Sequence, residues 1–83
     1  MSRYQPVQPK VLIATGVVTL TNYYSWATFL NDGAASGTID FGGGNILTLA
    51  PSESLTMPNL LNRPYSETIV DGTGTTIKIV YCR

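Results

Sequence analysis

Apolar and polar side chains alternate along run after run of this sequence, and this period of two limits the fold more than any other feature. In the run TIKIVY, Ile77, Ile79 and Tyr81 share one face and Lys78 lies on the other. Antiparallel strands with one face on a core and the other in water have this pattern. No stretch has the 3.6-residue period of an amphipathic helix. The same alternation occurs in VVTLT (17–21), YYSWATFL (23–30), TIDF (38–41), ILTL (46–49) and ESLTM (53–57).

Turn-forming residues separate these runs. NDG at 31–33 and DGTG at 71–74 have strong turn chemistry. Six to seven short strands, spaced about ten residues apart, predict an all-β fold, a small antiparallel β-sandwich or barrel. The segment ETIVDGTGTTIKIVY (67–81) is predicted to be a final hairpin. Prolines also end strands because they have no N–H for a ladder, and they stand at Pro51, Pro58 and Pro64.

Three consecutive glycines stand in the segment FGGGN (41–45). A Walker-type phosphate loop needs a lysine and a hydroxyl residue after its glycines, and the dinucleotide fingerprint needs a glycine where Leu47 stands. Neither requirement is met, and the residues that follow have a strand pattern. Because glycine adopts positive φ at little cost and Asn45 tolerates it, we predict a hairpin that pairs 38–41 with 46–49.

The 83 residues allow one small domain, which we place at 11–83, after an extended N-terminal arm at 1–10. Two prolines favour extended backbone in the arm, and ten extended residues reach ~30 Å, enough to cross to a neighbouring small domain. The alternative is a terminus without a partner. The predicted partner contacts of the arm are Tyr4, Pro6, Val7 and Pro9.

The composition rules out stabilisation by an intrachain disulfide or a structural zinc site. Cys82 is the single cysteine and there is no histidine, so neither an intrachain disulfide nor a structural zinc site can form. A domain of this size buries only roughly 60–65% of the surface that its unfolded chain exposes. Domains of this size are usually stabilised by disulfides, a bound metal or a partner chain. Because the first two are missing, we predict a homo-oligomer.

Charge is sparse and balanced. Five basic and five acidic residues cancel, and charged residues make up 12% of the chain against about 25% in typical domains. No basic stripe is present of the kind that nucleic-acid binding requires, so no nucleic-acid partner is predicted. The uncharged segment 11–31 is long enough to span a bilayer, but its threonines, asparagines and β-branched residues favour two soluble strands, and no membrane partner is predicted.

Residues for catalysis are also lacking. The commonest general base, histidine, is missing, and Cys82 beside Arg83 is interpreted as incidental. The DGTGTT segment lacks the further carboxylates of a calcium loop. A carboxylate pair of the glycosidase kind would need a cleft for which so short a chain has little room. We predict no enzymatic activity, no catalytic residue, no cofactor and no metal.

Aromatic residues cluster between positions 23 and 29. Exposed aromatic rings on a sheet can stack on a sugar or anchor an interface, and the alternative is that they fill the core. For Trp26 we favour the core or a subunit interface. The candidates for ligand stacking are Tyr23, Tyr24 and Trp26.

The segment PNLLNRPYS (58–66) breaks the alternation, with two adjacent leucines between prolines. Adjacent apolar residues in an irregular loop do not easily face the same core. Arginine and tyrosine are enriched at interfaces. We predict a subunit contact, with a loop that covers one end of the sandwich as the alternative. The residues assigned to this contact are Leu60, Leu61, Arg63 and Tyr65.

Three consecutive segments, GTIDFGGG (37–44), LTLAPSESLTMP (47–58) and DGTGTTIKIVY (71–81), carry a family resemblance. Their order resembles small β-sandwich proteins of tailed-bacteriophage virions, which contain runs such as F-G-G-G, L-x-L-x-P-x-E-S-L-x-[LM]-P and D-G-T-G-T-x-I-x-I-x-Y. The resemblance covers residues 37–83 and extends poorly to the first 36.

The resemblance implies a non-enzymatic structural protein of the virion, assembled in the host cytoplasm. Proteins of this type include capsid decoration (cement) proteins and pieces of tails and fibres. We expect a capsid-decorating homotrimer whose partner is the major capsid protein or another virion protein. A tail, baseplate or fibre module is one alternative, and a carbohydrate-binding module that uses surface aromatics is another.

Overall fold

A computed structural model describes residues 8–21, 24–59 and 65–82. Over these residues the chain is all-β, which confirms the predicted small antiparallel β-sandwich, with eight strands where six to seven were predicted. None of these residues belongs to a helix that could cross a bilayer. The strands are β1 Lys10–Ala14, β2 Val17–Leu20, β3 Trp26–Asn31, β4 Gly37–Asp40, β5 Ile46–Leu49, β6 Ser54–Met57, β7 Thr68–Asp71 and β8 Ile77–Cys82.

The strands form two four-stranded sheets. Sheet A has the order β1-β8-β3-β6 and sheet B the order β2-β7-β4-β5. The first strand pairs with the last, the second with the seventh, the third with the sixth, and the fourth with the fifth. The described chain is therefore one long hairpin, rolled so that β8 also pairs with β3 and β7 with β4. An eight-stranded double sheet of this kind is a jelly roll.

The triple glycine forms the tip of this long hairpin. Gly42, Gly43 and Gly44 all have positive φ, at 90°, 62° and 84°. The loop is closed by two backbone hydrogen bonds, from Phe41 N–H to the Asn45 carbonyl (2.8 Å) and from Asn45 N–H to the Gly42 carbonyl (3.0 Å). Strand β4 pairs with β5 from Gly37↔Leu49 to Asp40↔Ile46. The predicted hairpin between residues 38–41 and 46–49 is confirmed.

The predicted final hairpin at 67–81 is wrong. A turn does form at DGTG, where Thr75 N–H donates to the Gly72 carbonyl at 2.9 Å and Gly74 has φ of 83°. However, β7 belongs to sheet B and β8 to sheet A, so the turn carries the chain from one sheet to the other. Turn chemistry indicates where a chain reverses and does not indicate which strand it will pair with.

The core lies between the inner faces of the two sheets. It contains Phe29 and Ile79 from sheet A and Ile39 and Val70 from sheet B, all fully buried. Burial of such side chains supplies the main stabilising free energy, at roughly 25 cal/mol per Å² of apolar surface. The other buried apolar members are Ala14, Leu20, Tyr24, Ala27, Leu49 and Ile77.

Strand β1 is the strand that alternation alone does not find. Its sequence KVLIA begins at Lys10, the last residue of the predicted arm. Leu12 packs against the core and Ala14 is buried, whereas Val11 and Ile13 are exposed. Both faces of the strand are thus apolar, so the run shows no alternation of apolar with polar residues.

Candidate functional site

The outer face of sheet A carries a group of uncovered apolar side chains. Alternation in β3 places Trp26, Thr28 and Leu30 on this face, because Ala27, Phe29 and Asn31 are buried. The same reasoning places Val80 on this face of β8 and Val11 and Ile13 on this face of β1. We call these five apolar residues the apolar strip: Val11, Ile13, Trp26, Leu30 and Val80.

Strand register places the members of the strip in neighbouring rows of one face. Val11 lies opposite Val80, and Val80 lies opposite Thr28. In the next outward row Ile13 lies opposite Lys78, which lies opposite Leu30. Side chains directly opposite one another on one face have Cβ atoms about 4.5–5.5 Å apart. The strip therefore extends over β1, β8 and β3, with Thr28 and Lys78 between some of its apolar members.

One charged side chain, that of Lys78, stands within this face, and it forms an ion pair with Asp32. Lys78 Nζ lies 2.9 Å from an Asp32 carboxylate oxygen, and both side chains are about half exposed. An exposed pair of this kind contributes little to stability. Its effect on the face is to leave no net charge beside the apolar strip.

The outer face of sheet B is more polar. It carries Asp40, Asp71, Thr19, Thr38 and Thr48, and Thr38 lies opposite both Asp71 and Thr48. Its exposed apolar residues are Val17 and Ile46. Hydrogen bonds from the Thr73 side chain and backbone amide hold the pKa of the Asp71 carboxyl below its usual value. The two outer faces therefore differ, and sheet A presents the more apolar surface.

Most of the residues predicted for a partner interface lie outside the described residues. Pro9 is described, and it is exposed immediately before β1. Tyr65 is also described, but it is half-buried against the core. The predictions for Tyr4, Pro6, Val7, Leu60, Leu61, Arg63 and the stacking candidate Tyr23 fall outside the described residues.

Tyr24 does not serve as a ligand platform, and that prediction is wrong. Its side chain is fully buried, its ring stacks on Tyr65 with centroids 5.2 Å apart, and its hydroxyl lies 2.8 Å from Thr68 Oγ1. Tyr65 N–H donates to the Tyr24 carbonyl at 2.6 Å, and the Tyr65 hydroxyl donates to the Pro58 carbonyl. These contacts use both tyrosines to join the loop before β7 to the strand bridge at Tyr24.

Trp26 is the described aromatic candidate that remains at the surface. It is half-buried on the outer face of sheet A, opposite Cys82 in the register of β3 with β8. This position does not place the ring in the core between the sheets, and its role at a subunit interface stays a prediction. Cys82 is a half-buried free thiol.

Acidic side chains are engaged in local structure. Asp40 accepts the Gly42 N–H at 2.8 Å and Glu53 accepts the Ala50 N–H at 2.7 Å, and each of these bonds closes a turn. Asp71 accepts the Thr73 N–H at 2.9 Å. Among the described residues there is no group of three or more histidines, cysteines or carboxylates that could hold a metal ion.

Four members of the apolar strip were missed by sequence reasoning: Val11, Ile13, Leu30 and Val80. A signal for the first two was present, since Val11–Ala14 is an unbroken apolar run, and a strand that is apolar on both faces is covered on both faces in most folds. Leu30 and Val80 occupy outward positions of alternating strands, and only the burial of their neighbours identifies those positions as outward.

The sequence matches no family model and no curated protein. Among solved structures, the chain is similar to the solution NMR structure of a de novo designed double-stranded β-helix, with a TM-score of 0.48 and 15% sequence identity. The match covers 94% of this chain and 97% of that chain.

Proposed function

We propose that this chain is a non-enzymatic structural protein of a bacteriophage virion, and most simply a capsid decoration protein that stabilises the shell through contacts between subunits. The observation that carries the proposal is the apolar strip, which leaves two large β-branched side chains, Val11 and Ile13, 64% and 57% exposed. Isolated exposed apolar residues are ordinary, but a contiguous apolar patch marks an interaction surface.

The chemistry of the strip favours a protein partner. Its apolar residues surround one lysine, which is paired with Asp32, so the surface offers no field to attract phosphate or an anionic lipid headgroup. An apolar, neutral surface is stabilised by removal from water, at roughly 25 cal/mol per Å². On a capsid the same contact would recur at many symmetric sites, and linked contacts gain avidity.

A substitution in the β3 part of the strip tests the proposal. Leu30→Glu introduces a charge on the outer face of sheet A, where it lies opposite Lys78, so the fold is retained while apolar burial is lost. Thr19→Glu on the outer face of sheet B is the matched control. The proposal expects the wild type and Thr19→Glu to cosediment with capsids of the encoding phage, and Leu30→Glu to lose at least about tenfold in affinity.

Location on the particle separates capsid from tail. Imaging of native virions places the protein on the shell if it is a decoration protein, and on the tail, baseplate or fibre if the alternative is correct. Absence from purified virions would overturn the proposal. The homotrimer expected from the resemblance remains a prediction, and the mass of the free protein in solution tests it.

A carbohydrate-binding module is the second candidate, because Trp26 remains partly accessible on the outer face of sheet A. Stacking on an aromatic ring is a common way to hold a sugar face. Glycan binding by the wild type that disappears in Trp26→Ala while the fold survives, together with no cosedimentation of the wild type with capsids, would favour this candidate over the structural one.

A further inference from the structure

Strand β1 is an edge strand with few of the features that keep such edges from pairing. In the described part of the chain it pairs with β8 alone, so its other side presents backbone N–H and C=O groups without a strand partner. Proteins usually protect such an edge with a charge, a proline or a bulge inside the strand. Here Pro9 and Lys10 stand at the start, and the remaining residues Val11–Ala14 are all apolar.

The edge is also the longest of the four that the described sheets offer. β1 has five residues, whereas the other edge strands, β2, β5 and β6, have four each. Its outward residues Val11 and Ile13 are exposed to an extent similar to that of Val17 and Ile46 on sheet B. An edge that is apolar beyond its first residue, Lys10, is a template for pairing with another strand.

The sequence of β1 complements itself when two copies run antiparallel. With Leu12 opposite Leu12 of a second copy, Val11 lies opposite Ile13 of that copy, and Ile13 opposite Val11. These are cross-strand pairs of β-branched residues on one face, which favour pairing. Lys10 of each copy then lies opposite Ala14 of the other, so the two lysines stand at opposite ends of the ladder. Pro9 has no N–H and ends the ladder at each side.

We propose that two copies of this chain associate through their β1 edges, in an antiparallel register centred on Leu12. Sheets A of the two copies then form one eight-stranded sheet, and the apolar strips lie side by side on its outer face. A two-fold contact of this type is self-complementary and closed. The inference goes beyond the virion assignment, since it concerns a contact between copies, and it gives a dimer and not the trimer expected from the resemblance.

The register allows a test by charge reversal with the full chain. In Val11→Glu/Ile13→Glu, a glutamate at position 11 faces a glutamate at position 13 of the second copy, twice in each dimer. In Val11→Lys/Ile13→Glu, a lysine faces a glutamate at both places. Both variants carry a glutamate in place of Ile13. This glutamate lies opposite Lys78 of the same chain, so we expect each variant to retain the folded monomer.

Sedimentation equilibrium across a micromolar to millimolar range measures the association. We expect a dimer for the wild type, at least an about tenfold rise in the dimer dissociation constant for Val11→Glu/Ile13→Glu, and recovery of most of that loss in Val11→Lys/Ile13→Glu. Thr56→Glu, on the outer face of the opposite edge strand β6, is the control and should leave the constant unchanged.

Amide hydrogen exchange supplies a second readout. The N–H groups of β1 that point away from β8 should exchange more slowly as the wild-type concentration rises, and those of β6 should not change. A monomer at the highest concentration, a trimer, or a dimer that resists Val11→Glu/Ile13→Glu would each overturn the proposal. Equal loss in both charged double variants would also overturn it, because the register predicts that they differ.

Discussion

The Thr75 hydroxyl donates a hydrogen bond of 2.7 Å to Oδ1 of Asn31, and both side chains are buried. The same oxygen accepts the Gly33 N–H at 3.0 Å, while the Asn31 amide nitrogen donates to the carbonyls of Ala35 and Leu49 at 2.7 and 2.8 Å. One fully satisfied asparagine thus joins three connections of the jelly roll: the one after β3, the end of β5 and the turn before β8.

Removal of this side chain should be strongly destabilising. Asn31→Ala leaves two carbonyls, an amide and a hydroxyl without their partner in a buried place, and each such group costs about 1–3 kcal/mol when no replacement is found. With partial replacement by water, we expect the free energy of unfolding to fall by about 2–4 kcal/mol in urea denaturation.

The matched control is Asn45→Ala. The Asn45 amide makes a single exposed hydrogen bond, 3.0 Å to the Gly42 carbonyl, so its loss should cost less than about 1 kcal/mol. Equal costs at the two positions would contradict the structural role given to Asn31. A double-mutant cycle with Thr75→Ala should show coupling of about 0.5–3 kcal/mol.

Gly72 should not tolerate a side chain. It lies at the corner between sheets, where its N–H donates to the Gly16 carbonyl at 2.8 Å, and a Cβ there would overlap the carbonyl oxygen of Ala14 and lie 2.9 Å from its carbon. Because both clashing atoms are backbone, Gly72→Ala must shift a strand, and we expect a loss of about 2 kcal/mol or more.

Gly16→Ala is the control from the same corner. A Cβ at Gly16 meets no atom within 4 Å, so thermal unfolding of this variant should stay within about 0.5 kcal/mol of the wild type. A similar loss in both variants would show that the corner needs glycine for a reason other than the contact with Ala14.

Ser52 offers a site for stabilisation. It has φ of 70° in the turn between β5 and β6, where Glu53 N–H donates to the Ala50 carbonyl at 3.0 Å. A turn with proline second and positive φ third prefers glycine at that third place. Ser52→Gly should therefore raise the free energy of unfolding by about 0.5 kcal/mol, since the relief of strain exceeds the added entropy of the unfolded chain.

Glycine should have the opposite effect on the free energy of unfolding at Ser54, two residues later. Ser54→Gly, in strand β6 opposite Leu30, should lower the free energy of unfolding by about 0.5–1 kcal/mol, because glycine weakens a strand without relieving any strain. Calorimetry on the two variants side by side checks the difference in sign.

Stability should fall in alkaline solution because of Tyr24. Burial of its ring raises the pKa of the phenol above 10.0, more than the hydrogen bond with Thr68 lowers it. The folded state therefore holds this proton more tightly than the unfolded state. The resulting stability is fully present below about pH 10 and is lost as the pH rises through the folded pKa.

Tyr24→Phe isolates this effect. The variant loses the hydrogen bond to Thr68 and should be about 1 kcal/mol less stable at pH 7. Above about pH 10 the gap to the wild type should narrow, because ionisation of this phenol stabilises the unfolded wild type and the variant has no phenol at this position. Urea titrations at pH 7 to 11 measure the gap, and a constant gap would contradict the assignment.

Local pattern was a good guide to faces and turns. Alternation correctly placed Val18 and Leu20 on one face of β2, and Ile77 and Ile79 opposite Lys78 in β8. The glycines of FGGGN indicated a hairpin because positive φ is a property of the residue itself. Both inferences depend on neighbours in sequence, and both agree with the structure.

Residues distant in sequence decide which strands pair and which side chains are buried. Asn31 looks like a turn residue in NDG, yet it is buried because three separate connections meet around it. Tyr24 looks like a surface aromatic until the loop at Tyr65 covers it. Neither outcome can be predicted from residues close in sequence. Tyr65 lies 41 positions from Tyr24, and Thr75 lies 44 positions from Asn31.

The sequence by itself determined that this chain is pleated, where it turns, and which side of most strands is apolar, since each follows from the geometry of a few adjacent residues. Only the tertiary structure decided that β7 and β8 separate into different sheets and that β1 becomes an edge with Val11 and Ile13 in water. The physical reason is that strand pairing is a contact between distant segments, and its free energy depends on the packing of both sheets together.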